Sequence, residues 1–111
     1  MYRQGDILIL PLREDEVPQT VRDLPPAPRD ERGRMVLALG EATGHAHAIA
    51  APGELLRDSD PLVPDHLHLH SGGRLVHEEH AEISLPKGWF RVIRQREYVP
   101  GAVRSSRFVA D

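Results

Sequence analysis

The sequence predicts an all-β fold, a small antiparallel β-barrel or sandwich with one long proline-rich loop, and three observations lead there. Ten prolines and nine glycines lie scattered over 111 residues and cut the chain into pieces too short for a long helix. Within those pieces apolar residues alternate with polar ones, as in His66-Leu67-His68-Leu69-His70 and Glu82-Ile83-Ser84-Leu85, which is the period of a half-buried strand. Turn residues punctuate the strand candidates at short intervals, as an antiparallel architecture requires. The length suits a single domain over residues 1–111, large enough to bury a core without disulfides.

Taken in order, Asp6 to Leu12 (DILILPL) is rich in strand formers, and Pro11 places its far end at an edge, a bulge or the strand's exit. Arg13 to Arg34 is charged, holds Pro18, Pro25, Pro26 and Pro28, and lacks an apolar period. The segment reads as an exposed loop with at most a turn of helix, mobile from Glu14 to Arg34 and dispensable between Gln19 and Arg29. Met35 to Leu39 (MVLAL) is a second strand, closed by Gly40, and Ala51-Pro52-Gly53 marks a turn. Asp58 to Asp65 is a second loop. HLHLH then places three imidazoles on one face and two leucines on the other, before Ser71-Gly72-Gly73 signals a hairpin into Arg74-Leu75-Val76. Pro86-Lys87-Gly88 leads into a last long strand, Trp89 to Val99, with an edge strand expected around Arg107 to Val109. The expected core is Ile7, Ile9, Leu37, Leu39, Leu67, Leu69, Leu75, Ile83, Leu85, Val92 and Ile93.

Composition, 40% hydrophobic and 28% charged, is that of an ordinary globular domain, and seven histidines are the one excess. A net charge of −3 excludes the broad basic footprint of non-specific nucleic-acid binding, though a local basic stripe remains open. Without cysteine there is no disulfide, thiolate zinc finger, iron–sulfur cluster or cysteine nucleophile, so any metal must take nitrogen and oxygen ligands. The opening MYRQGDILILPLRED has no basic n-region and no cleavage pattern, and no stretch reaches the length of a membrane span. A cytoplasmic protein is the expectation. A serine nucleophile elbow, a P-loop and a dinucleotide fingerprint are all absent.

Two histidine pairs carry the functional reading. In a strand His45 and His47 share a face, a few ångströms apart, which lets both bind one ion, and Ala46 and Ala48 leave room around them. His77-Glu78-Glu79-His80 offers imidazole with imidazole on a helical turn, or imidazole with carboxylate if extended. Together the two segments supply ligands for a divalent metal, zinc foremost, with nickel, manganese or iron as alternatives. Glu78 and Glu79 are the candidate catalytic carboxylates or further ligands. The plain alternative is that these histidines are exposed strand or loop residues, and for His66, His68 and His70 that alternative is preferred.

Two resemblances rest on these residues. The combination GEATGHAHAI, HEEHAEISLPKGWFRVIRQREY and the QGDILI opening resembles a family of small uncharacterised bacterial and phage-encoded proteins, covering nearly the whole chain and implying no established activity. At the level of architecture the chain is also similar to cupin barrels. That similarity implies a first metal motif from Gly40, His45, His47 and Glu54 and part of a second from Pro86-Lys87-Gly88. The spacing from His45 to Glu54 is longer than the cupin pattern, and no histidine follows Gly88, so a third ligand falls to His77 or His80.

Arg91, Arg94 and Arg96, with Lys87 and beside Trp89, Phe90 and Tyr98, form a stripe able to grip phosphate or stack bases, with Arg94 and Arg96 as the contact candidates. Cross-strand pairing with Glu78, Glu79, Glu82 and Glu97 is the plainer use of the same arginines. Three functions are therefore open: a histidine metal site, a metal-free histidine acid–base enzyme acting on an RNA phosphodiester, or a non-catalytic adaptor docking a larger protein partner.

Overall fold

The structure, a computed structural model, describes residues 1–39, 45–95, 97–98 and 108–109. The strands, in chain order, are β1 (Tyr2–Gln4), β2 (Ile7–Leu12), β3 (Met35–Leu39), β4 (Ala46–Ile49), β5 (Gly53–Leu56), β6 (Asp65–Leu69), β7 (Gly73–His77), β8 (His80–Leu85), β9 (Gly88–Arg94), β10 (Glu97–Tyr98) and β11 (Phe108–Val109). Two antiparallel sheets result, one of five strands in the order β1-β2-β9-β6-β5 and one of four in the order β3-β4-β7-β8, with β10 and β11 as a separate pair. Neither sheet closes on itself. The expected all-β fold is a sandwich and not a closed barrel, and the only α-helix among the described residues is α1 (Gln19–Arg22). No helix of the described residues is long and apolar enough to cross a membrane.

Alternation builds the core between the sheets. Cross-strand partners share a face, so the pairs Ile9↔Val92, Leu55↔Leu67 and Leu67↔Phe90 point inward together. With Ile7, Met35, Leu37, Ile49, Leu69, Leu75 and Leu85 they form one buried cluster. Eight of the eleven expected core residues are fully buried, and Ile83 packs partly against them. Leu39 is the exception, 59% exposed. A bulge between Val36 and Ala38 sets Ala38 opposite His47 and Leu39 opposite Ala46, which turns Leu39 to the outer face. Ile93 is only half-buried for a simpler reason: it pairs with Leu8 on the outer face, between the inward positions of Val92 and Arg94.

One turn differs from the sequence expectation. Ser71-Gly72-Gly73 does not close a hairpin, because β6 pairs with β5 and β9 while β7 pairs with β4 and β8. The turn carries the chain from one sheet to the other. Gly72 makes this crossing at φ +90, and a Cβ there would stand 2.8 Å from the Leu85 carbonyl. Ala50 to Pro52 and Pro86-Lys87 switch sheets likewise. The last long strand ends at Arg94, where the Gln95 amide donates to the Asp6 carbonyl, and Glu97–Tyr98 pairs antiparallel with Phe108–Val109. Arg107 and Val99 lie outside the described residues.

The proline-rich segment is the largely exposed loop with a turn of helix that its composition predicts, but it also packs on the sheet. A 3-10 turn (Glu14–Glu16) and α1 bring Val17 and Val21, both buried, onto Leu56 and Trp89 on the outer face of the five-stranded sheet, forming a second small core. Farther along, the Ala27 amide donates to Leu55 O, and Arg29 donates to the carbonyls of Ala51 and Gly53. The Asp30 carboxylate collects the amides of Arg32 and Arg34 and the Arg34 guanidinium at 2.8 Å. The Arg34 amide is the main reason its carboxyl is held below the usual range. Two spaced valines gave too little period to be read as a buried face.

Candidate metal centre

The inner face of the four-stranded sheet carries the two histidine pairs at one end of the sandwich. On β4, Ile49 faces the core, so His47 two residues earlier faces the same way and His45 follows. On β7, Leu75 is inward and His77 shares its face. His77 and His80 are cross-strand partners flanking a two-residue turn, Glu78-Glu79. HEEH is therefore neither helical nor extended: it is a hairpin tip, which sets its two imidazoles on one side. The rings meet. His47 and His77 have centroids 4.3 Å apart, His77 and His80 4.5 Å, His45 and His77 5.5 Å, and His47 and His80 5.8 Å. Rings bound through one nitrogen to a tetrahedral ion would have centroids about 5 Å apart, given metal–nitrogen bonds of about 2.0–2.1 Å.

His47 is held hardest, through residues that the sequence reading passed over as the lead into a strand. Gln4 ends β1, on the opposite sheet, and its amide nitrogen donates to two carbonyls, Leu75 O and Ala81 O, both at 3.0 Å. With the nitrogen so assigned, Oε1 must be the acceptor that faces His47 Nδ1 at 2.8 Å. His47 thus carries its proton on Nδ1 and presents a bare Nε2, the tautomer a metal ligand needs. Nε2 lies 3.5 Å from Oδ1 of buried Asp6, in the turn where Gly5 adopts φ +59, and that oxygen accepts no hydrogen bond from the described residues. The other Asp6 oxygen takes the Arg94 Nε at 3.0 Å. Burial above all, then the charges of His77 and His80, lower the His47 pKa to about 4 against the pull of Asp6. At neutral pH two lone pairs face each other across 3.5 Å, which is a place for a cation.

Ligand atoms of His45, His77 and Glu78 lie within 4.8 Å of one another, a group that takes in neither His47 nor His80, whose rings adjoin it. Glu78 accepts the Ala46 amide at 3.0 Å, which leads the effects that lower its pKa. His77 is also lowered, by burial first and by His80 second, and its Nδ1 accepts the Glu79 amide at 3.0 Å. Glu79 stands 3.7 Å from His45 Nδ1 with its side chain 67% exposed.

A family model matches residues 3–95, a span that takes in the Gln4-Gly5-Asp6 turn, both histidine pairs and Arg94. The chain belongs to the domain family of unknown function DUF8820. No curated protein and no solved structure matches it. Within this DUF8820 domain the other sequence candidates fall in different places. Glu54, grouped with His45 and His47 by the cupin similarity, sits instead on the five-stranded sheet opposite His68. Its partners are His68 and His70. Gly40 lies outside the described residues. His66 is buried, with Nδ1 on the Pro64 carbonyl at 3.0 Å and its pKa lowered chiefly by burial, and it keeps apart from both clusters. Arg94 is bound internally, to Asp6 and by its terminal nitrogen to Leu39 O at 2.7 Å, and Arg96 lies outside the described residues.

Proposed function

We propose that this domain is a small divalent-metal-binding protein whose centre is formed by His45, His47, His77 and His80. Glu78 and Glu79 supply carboxylates at the hairpin tip, and Asp6 supplies one from the opposite sheet. The observation that carries this reading is the fixed tautomer of His47: Gln4, locked by two carbonyls, leaves Nε2 bare and aimed at an unpartnered carboxylate oxygen. Imidazole and carboxylate donors suit zinc best, with nickel, manganese and iron as competitors. An ion here would supply a Lewis-acid centre at the mouth of the sandwich, and exposed Glu79 is the base beside it.

The test is metal content by mass spectrometry on protein purified without a histidine tag, compared with His45→Ala/His47→Ala. About one equivalent in the wild type and none at this centre in the variant is expected. Undiminished metal in the variant, or a wild type that takes up no metal even after dialysis against zinc, would sink the reading.

A further inference from the structure

On the outer face of the five-stranded sheet a transverse row crosses four strands: Glu54 on β5 pairs with His68 on β6, His68 with Trp89 on β9, and Trp89 with Leu12 on β2. His70 follows two residues after His68 and returns to the same carboxylate. One Glu54 oxygen lies 2.8 Å from His70 Nε2 and the other 3.3 Å from His68 Nδ1. One ligand atom from each of the three residues lies within 4.8 Å of the other two. Ligands on one ion at bonds of about 2.1 Å stand roughly 3–3.5 Å apart, so the three need little movement to close on a cation.

The backbone and a ring stack hold the trio in advance. The His68 imidazole lies on the Trp89 indole at 4.1 Å with the planes 4° apart, which sets the orientation of its nitrogens. Gly53, at φ +154, lets β5 approach so closely that a Cβ there would collide with the His68 carbonyl oxygen. Only glycine brings Glu54 this near to both imidazoles. Beside the two imidazoles opens a cavity of about 440 Å³, lined by His68 and His70 together with Leu12, Glu14, Lys87 and Trp89, with room for water or an anion to complete a coordination shell.

We infer that Glu54, His68 and His70 form a second divalent-cation site, on the opposite sheet from the centre at His45, His47, His77 and His80 and independent of it. The side chains are about one-third to one-half exposed, so an ion here is open to solvent and exchanges with free ion. This site also has its own reporter, since Trp89 is the single tryptophan of the chain.

The experiment titrates untagged, metal-stripped protein with cobalt(II), reading tryptophan fluorescence together with stoichiometry by calorimetry, for the wild type, His68→Ala/His70→Ala and His45→Ala/His47→Ala. Two equivalents are expected in the wild type and one in each variant, with saturable quenching of Trp89 lost only in the His68/His70 variant. Loss of an equivalent in that variant alone supports the outer site and overturns the inner one. Loss only in His45→Ala/His47→Ala, with quenching intact in the other, does the reverse. Unchanged stoichiometry and quenching in His68→Ala/His70→Ala refutes the inference. Glu54→Gln, which keeps size and polarity, guards against misfolding: it should weaken cobalt binding at the outer site at least tenfold while the circular dichroism stays that of the wild type.

Discussion

Gln4 joins three groups from the facing sheet, and its amide has no substitute among natural side chains of equal shape. Leucine in its place leaves Leu75 O, Ala81 O and His47 Nδ1 without that partner, so Gln4→Leu should destabilise the domain by about 2–3 kcal/mol in urea unfolding. His47 gives a second residue-scale prediction. Its native pKa, about 4, lies below the ordinary histidine value of about 6.5, so between these limits the unfolded chain binds a proton that the folded one refuses. Stability of the chelator-treated protein is therefore full above about pH 6.5 and falls as the pH drops towards 4. The loss on this account is about 3 kcal/mol, levelling off below pH 4. The groups setting that value are burial, His77, His80 and Arg94 against Asp6. His47→Gln should flatten the slope in denaturant melts run from pH 7.5 to 4, and an unchanged slope would show that other groups carry it. Gln4 and Asp6 were hard to read as site residues because they flank a glycine turn at the very start, and nothing local reveals that this turn faces β4 across the sandwich.

At the scale of the element, strands were legible and their partners were not. DILILPL, HLHLH and EISL show their buried faces by alternation, whereas the sheet each joins depends on turns that equally suit hairpins or sheet crossings. The two-residue HEEH turn was ambiguous for a related reason, since Glu-Glu is not a strong turn signal and only the pairing of His77 with His80 decides it. That pairing is testable. Inserting one glycine between Glu78 and Glu79 slips His77 out of line with His80, and should abolish metal uptake at the centre while leaving the circular dichroism of the sheets unchanged. The proline-rich segment is largely exposed, as its composition suggests, yet two of its valines pack on the sheet. Val21 is buried on Leu56 and Trp89, so removing Gln19 to Arg29 uncovers both, and Val21→Ala alone should cost about 1.5 kcal/mol for two buried carbons. A deletion that melts at the wild-type temperature would return the segment to the status of a loose loop.

For the whole molecule the position of the histidines matters more than their number. The four imidazoles belong to one sheet, while Asp6 and Gln4, which face and orient His47, belong to the other, so the centre lies across the seam of a sandwich that no backbone ladder closes among the described residues. Unfolding must part these groups, and an ion held by them would bind the native state alone. At free metal 100 times the dissociation constant such binding adds about 2.7 kcal/mol. For a domain of this size that corresponds to a rise in melting temperature on the order of 10 °C. The outer trio, confined to neighbouring strands β5 and β6 and their exit, spans no seam and gains far less from occupancy. Zinc should therefore raise the melting temperature of the wild type and of His68→Ala/His70→Ala by similar amounts. His45→Ala/His47→Ala should gain at most a few degrees, and a chelator should reverse the effect wherever it occurs. Differential scanning calorimetry with and without zinc decides it. An equal rise in all three proteins would place the stabilising ion away from the seam, and Asp6→Asn, which removes the carboxylate but keeps the turn, should fall between the wild type and the double histidine variant if that carboxylate helps to hold the ion.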